Sequence, residues 1–279
     1  MTAGEIGKSG IRRLNFGGYR GEVESGFDDP AFIEAISRPE EIWSRPEVEV
    51  LFDRRNRVGT LRIAMSSASA QDIVVKEFSS WGIIRLKSLF QKSKAARAWR
   101  GALALKERGL GTASPAAYLE KRRRGLVERS FFFAAGISGA EEIRGLFRSL
   151  PAAELKALLS DLAAFLSRCH DYGILHRDLS DGNILVRKGD SGPTAFYLLD
   201  TNRIRIRSKL GSYRRAKNLI RLGVPPVFQR FFLGAYFGEK RFRKTHWVWY
   251  KMNKAVFTAY IALKRALRLR QVARWLRIQ

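Results

Sequence analysis

The chain has few soft ligands, few acids and no long apolar run. One cysteine, Cys169, and three histidines stand among its 279 residues. A single thiol excludes a disulfide framework, and the set is too small for a zinc site, so a reducing, cytosolic setting is expected. A membrane-spanning helix needs about 18 apolar residues or more, and the best stretch, Trp247 to Leu263, is broken by Lys251, Asn253 and Lys254. The opening residues, MTAGEIGKSGIRRLNF, contain no apolar h-region, so no signal peptide is expected. GEIGKSG within them imitates a phosphate-binding loop but has Thr2 where that pattern needs glycine and follows no strand, so it reads as a flexible basic terminus. Internal repeats and low-complexity linkers are absent from the sequence.

Acid is scarce. Lys and Arg number 52 against 26 Asp and Glu, a net charge of +26, and the stretch from Arg203 to Gln279 holds 21 basic residues and one acid, Glu239. Such a field suits nucleic acid, an anionic membrane surface or a phosphorylated substrate. No nucleic-acid module accompanies it, so nucleic acid is the least expected partner. In the tail, Val256, Tyr260, Leu263 and Leu267 fall on one side of a helix and Lys254, Arg265 and Arg268 on another, with Trp275 beyond. That composition suits a helix lying at an anionic membrane surface, or one docked on the domain with its basic side in water. No feature of the sequence sets an oligomeric state.

Patterning divides the chain into a strand-rich part and a mainly helical part. Asp29-Pro30 caps a short helix with Phe32, Ile33 and Ile36 on one face. Val48 to Phe52, Gly59 to Met65 and Ile73 to Phe78 read as an antiparallel meander. Lys92 to Arg108 is alanine-rich and helical, closing at Gly109, and strands follow at Ala116 to Glu120 and Leu126 to Phe132 around KRRRG. After Pro151, Leu155, Leu158, Leu159, Leu162, Phe165, Leu166 and Cys169 recur at helical spacing, which makes Cys169 a packing residue rather than a nucleophile. Ile184 to Val186 and Phe196 to Leu199 read as a hairpin around RKGDSGPT, and basic, aromatic-rich helices fill the remainder. Residues 1–135 are expected to form a strand-rich lobe and 136–279 a helical one.

Polarity then concentrates in GILHRDLSDGNILV. His176-Arg177-Asp178 with Asn183 matches H-R-D-x-x-x-x-N, and Asp200 ends the apolar run FYLLD seventeen positions later. Phosphoryl transfer needs a partner for the acceptor hydroxyl, here Asp178, and hard oxygen ligands for Mg²⁺, here Asn183 and Asp200. The hairpin between those two returns them to one end of a small sheet. His176 reads as a buried hydrogen-bonding residue. A lysine on a strand should meet the nucleotide phosphates, and Lys76 in IVVKEF has that setting. The glycine-rich loop is poor: Gly59 in RNRVGTLRI is its only glycine, so phosphate covering falls to the backbone near Arg57 to Thr60.

VVKEF, ARAWRGALALKERGL, HRDLSDGN and LLDTNR together resemble the lipopolysaccharide core kinases of the Kdo/heptose kinase family, over most of Arg54 to Arg207. The resemblance implies an α+β, bilobal protein-kinase-like fold and an ATP- and Mg²⁺-dependent kinase. Its acceptor would be a sugar hydroxyl of the lipopolysaccharide inner core, at the cytoplasmic face of the inner membrane. It assigns Lys76 to ATP phosphates, Asp178 to acid/base catalysis, and Asn183 and Asp200 to magnesium. Two departures stand out. The helix position that carries a lysine-pairing glutamate in kinases corresponds to Ala98, with Glu107 the nearest acid, two turns too late. Asp200-Thr201-Asn202 replaces D-F-G, and Ser180 stands where protein kinases carry lysine; both favour a constitutive small-substrate enzyme over a regulated signalling kinase. The missing glutamate keeps a catalytically weak scaffold in contention. A small-molecule kinase of this fold would want an acidic pocket for cationic substrates, which the composition does not offer.

Overall fold

The computed structural model describes residues 10–54, 56–66, 70–79, 82–188 and 194–267, with only the backbone at 82–84. The described residues divide into two compact units, residues 10–104 with 113–137, and residues 105–112 with 138–267.

In the first unit β1 (Ile11–Phe16), β2 (Tyr19–Glu24), α1 (Pro30–Ser37), β3 (Val48–Asp53), β4 (Asn56–Ile63), β5 (Gln71–Phe78), α2 (Gly82–Lys87), α3 (Lys94–Lys106), β6 (Pro115–Arg123) and β7 (Leu126–Ala135) follow in order. The strands form one antiparallel seven-stranded sheet in the order β1-β2-β6-β7-β5-β4-β3. Asp29 caps α1 as its sequence requires, its Oδ1 accepting from the Ala31 and Phe32 amides. Phe32 and Ile36 then meet Ile73, Val75, Phe131 and Phe133 in a buried core on one face of the sheet. The β6–β7 hairpin turns through Arg124 and Gly125, both at positive φ, the type I′ geometry that matches strand twist. The β1–β2 hairpin uses Gly17 and Gly18 in the same way. That hairpin was not anticipated, although the Gly-Gly pair between two alternating runs is its signal. GEIGKSG precedes it, almost wholly outside the described residues.

The second unit contains β8 (Glu141–Glu142), α4 (Ile143–Ser149), α5 (Ala152–Asp171), β9 (Ile174–His176), β10 (Ile184–Arg187), β11 (Ala195–Leu198), β12 (Ile204–Ile206), α6 (Ser212–Asn218), α7 (Gln229–Phe237) and α8 (Lys244–Ala266). The anticipated core helix is α5, burying Leu155, Leu158, Leu159, Leu162, Phe165, Leu166 and Cys169. Burial pushes the Cys169 thiol up to about 12, so it holds no thiolate at neutral pH. Two small sheets flank α5's exit: β11-β10-β8 and β12-β9. Both β8 and β12 are too short to show a sequence period, and neither was anticipated. α8 is docked on the unit by one side and exposed on another. His246 and Tyr250 are buried, while Val248, Trp249, Met252, Val256, Tyr260, Leu263 and Leu267 are exposed, Val256 by 70%. Lys254 leaves the anticipated basic face: it is half-buried and donates to the Ile220 and Leu222 carbonyls. Arg268 and Trp275 lie outside the described residues.

Candidate active site

α5 delivers the chain into the polar loop through a tight turn. Gly173 has φ +72, and a Cβ there would lie 1.9 Å from the Arg207 carbonyl oxygen, so only glycine fits. β9 and β12 pair beyond it, with His176 opposite Ile204.

His176 is 2% exposed and ties the polar loop to the end of β11. Its Nε2–H donates to the Leu199 carbonyl at 2.9 Å, and its Nδ1 accepts the Asp178 amide at 3.3 Å. Those partners define a neutral imidazole, and burial lowers its pKa accordingly, against the pull of the Leu199 carbonyl, Asp200 and Asp178. A second tie runs through Asn183, whose Nδ2 donates to the Asp178 carbonyl at 2.8 Å and whose backbone carbonyl accepts from the Leu199 amide at 2.9 Å. Asp178, Asn183 and the Leu199–Asp200 strand end are therefore one hydrogen-bonded group. Asp200 takes the left-handed conformation, φ 50 and ψ 44, which aspartate tolerates, and its carbonyl accepts from the Arg203 amide at 2.9 Å.

This arrangement presents hard oxygen donors. With its amide nitrogen committed to Asp178, Asn183 offers its amide oxygen, and Asp200 adds a carboxylate; both suit a small divalent cation. Among the described residues no three His, Cys, Asp or Glu side chains converge as a metal cluster. An amide-plus-carboxylate pair leaves coordination positions for phosphate oxygens and water, as a nucleotide-bound magnesium uses.

Charge around Asp178 comes from a residue the sequence reading missed. Arg221 Nη1 lies 3.0 Å from Asp178 Oδ1 and 3.2 Å from the Arg177 carbonyl, and its guanidinium stacks 5.1 Å from the Phe257 ring centroid. Lys254 holds the two carbonyls flanking Arg221, at 3.1 Å and 3.0 Å. Asn218 links the loop deeper still, donating to the His176 carbonyl while its Oδ1 bonds His170. Spacing signals none of these, because all belong to a tail whose charge reads as uniform. Asp181, the loop's second acid, pairs with Arg144 at 3.2 Å and sits against Gly223.

The first unit holds the other two anticipated residues. Lys76 is half-buried on β5 with Nζ 5.4 Å from the Phe78 ring centroid. Ala98 of α3 is 2% exposed in a cluster with Phe78 and Ala95, flanked by Tyr118 and Phe132. An apolar helix face there explains the absent glutamate in packing terms. Glu107 lies beyond α3 and pairs with Arg108 at 3.7 Å. Gly59 sits buried inside β4, where a Cβ would approach the Glu49 carbonyl to 2.7 Å and the Trp43 ring to 3.0 Å. Close packing thus accounts for that glycine.

The family model described as lipopolysaccharide kinase (Kdo/WaaP) matches residues 82–226, a segment that contains Asp178, Asn183, Asp200 and Arg221 but begins after Lys76. No curated protein sequence matches the chain. A solved structure of WaaP in complex with acyl carrier protein superposes with a TM-score of 0.58 at 17% identity, over 81% of this chain and 96% of that one. The shared architecture is the mixed α+β, kinase-like fold anticipated from the motifs. With a family model spanning just over half its length and the kinase loop folded into one bonded group, the chain belongs to the lipopolysaccharide kinase (Kdo/WaaP) family, a family of phosphotransferases.

Proposed function

We propose that this protein transfers the γ-phosphoryl group of ATP, with Mg²⁺, to a sugar hydroxyl of a lipid-linked anionic glycan, the Kdo or heptose inner core of lipopolysaccharide. The observation that carries the reading is the bonded group of His176, Asp178, Asn183 and Leu199–Asp200. Asp178 orients and deprotonates the acceptor hydroxyl, Asn183 and Asp200 hold magnesium, and Lys76 binds the ATP phosphates. Magnesium, when bound, neutralises phosphate charge as the bond to the leaving group breaks. Phosphate covering is not placed at the backbone of Arg57 to Thr60, including Gly59, because that stretch of β4 is paired with β3 on one side and β5 on the other.

The proposed workplace is the cytoplasmic face of the cytoplasmic membrane. No helix among the described residues is long and apolar enough to cross a membrane. The exposed stripe of α8, flanked by Lys251 and Arg265 in a chain of net charge +26, supports attachment to an anionic lipid surface from one side. Ala98 favours a second reading, a catalytically weak scaffold, because kinases position their lysine with a helix glutamate. Single-turnover ATP hydrolysis with and without magnesium separates the two: a scaffold shows no magnesium-dependent turnover. The acceptor is tested by mass spectrometry of lipopolysaccharide from a deletion strain. Loss of one phosphate from the inner core supports the proposal, and an unchanged core contradicts it.

A further inference from the structure

The sequence RIRIR, Arg203 to Arg207, follows directly from the site. Its middle residues form β12, paired with β9 in the register Ile204–His176, Arg205–Leu175 and Ile206–Ile174. Backbone bonds extend the ladder at both ends, from the Arg177 amide to the Arg203 carbonyl at 3.1 Å and from the Arg207 amide to the Gly173 carbonyl at 2.9 Å. Alternation along β12 and the residue after it puts Arg205 and Arg207 on one face, while Arg203, the last residue of the 3-10 turn Thr201–Arg203, leads into the strand and takes the Arg177 amide on its carbonyl, which brings Arg177 to the same end of the ladder. Neighbours two apart on a strand are about 7 Å apart, close enough for long side chains to share one ligand.

Four like charges are thereby gathered without a counter-charge. Arg177, Arg203 and Arg207 are exposed and Arg205 half-buried, and among the described residues no carboxylate pairs with any of them. The Arg205 guanidinium donates to the Ile204 carbonyl at 3.1 Å. Burial, and then Arg177, Arg207 and Arg203, hold its pKa below the ordinary arginine value. Packing gains nothing from this crowding, whereas an anion would relieve it. The ladder also begins at the reacting groups: Arg177 precedes Asp178, and the Arg203 amide bonds the Asp200 carbonyl at 2.9 Å.

We propose that Arg177, Arg203, Arg205 and Arg207 form an anion subsite that receives a carboxylate or phosphate of the acceptor glycan. Planar guanidinium forks match both groups with paired hydrogen bonds. The subsite would set which sugar hydroxyl meets Asp178, and so deepens the function proposed above and rests on it.

The test measures initial rates of transfer from ATP to three acceptors: lipopolysaccharide from the deletion strain, the same material dephosphorylated, and the same material with its carboxylates reduced. The Arg205→Gln/Arg207→Gln double variant should raise the KM for the native acceptor by about tenfold or more, at one to two charge-assisted hydrogen bonds lost. Its KM for ATP should not move, and Arg205→Lys/Arg207→Lys should recover part of the loss. Removing the recognised anion from the acceptor should cost the wild type a similar factor and the Gln variant no more, which identifies the group bound. An unchanged acceptor KM, or equal losses on all three acceptors, overturns the subsite alone. A wild type that transfers to none of the three overturns the proposed function and the subsite with it.

Discussion

Arg221, from the turn after α6, sits 3.0 Å from Asp178 in the catalytic loop. Protein kinases carry a lysine two residues after this aspartate, and here that residue is Ser180, so the cation beside the carboxylate arrives from forty-odd residues downstream. One Asp178 oxygen is engaged by Arg221; on the mechanism proposed above this fixes the carboxylate's rotation and leaves the other oxygen for the acceptor. Arg221→Ala should lower kcat by about 100-fold, the scale of a misplaced catalytic group, with little change in KM for ATP. Free guanidinium should restore part of the rate. Loss through KM alone, or no rescue in a folded variant, would count against this positioning role.

Ala98 raises the reverse question, whether a glutamate would complete the site. Its side chain packs against Phe78 with 2% exposure, so Ala98→Glu places a carboxylate in an apolar layer. The expected result is destabilisation by about 3 kcal/mol in urea unfolding, without a gain in turnover. Stability within error of wild type, with faster turnover, would show that Lys76 reaches the new partner and that packing was the wrong explanation.

His170 gives the fold a pH dependence. Burial lowers its pKa from 6.5 to about 4, against a hydrogen bond to Asn218 that raises it. A histidine neutral in the fold but protonated in the unfolded chain makes unfolding take up a proton, so stability falls as pH drops from about 6.5 toward 4. His170 alone should cost about 2 kcal/mol at pH 5 relative to pH 7. His176, lowered by burial as well, adds in the same direction. Urea melts across this range test the sign, and His170→Gln should flatten the slope; a stability that rises on acidification would contradict it.

For α8, truncation is the wrong instrument, because His246 and Tyr250 belong to the core and Lys254 braces Arg221's turn. Val256→Asp/Leu263→Asp alters only the exposed stripe. It should abolish flotation with anionic liposomes while leaving the melting temperature in place, and wild-type binding should weaken as salt shortens the Debye length from about 10 Å at 0.1 M to about 3 Å at 1 M. Binding indifferent to salt, lipid charge and these substitutions would assign the stripe to a protein partner instead.

Local signals made most of the fold legible. Period-two runs located β3 to β7, period 3.6 located α5, and Asp29-Pro30 located α1. Elements of two or three residues, β8, β9 and β12, escaped because their existence depends on pairing partners and not on a period. In the loop, spacing gave Asp178, Asn183 and Asp200 as a set because backbone geometry ties them together through His176. Arg221, Asn218 and Lys254 were hidden for the opposite reason: they reach the loop only through tertiary packing of a tail whose composition is nearly uniform. Lys254 shows the error most plainly, since a helical wheel assigns it to water while the fold turns its ammonium onto two carbonyls.

The most direct test of the account is transfer of labelled γ-phosphate from ATP to lipopolysaccharide of the deletion strain, with nucleotide binding measured on the same preparations. Asp200→Ala should abolish transfer, because a main magnesium ligand is gone. Asp178→Asn should also abolish transfer yet bind ATP as the wild type does, because Asp178 meets the acceptor and not the nucleotide. Near wild-type transfer by either variant, or parallel loss of binding and transfer in Asp178→Asn, would contradict the site proposed here.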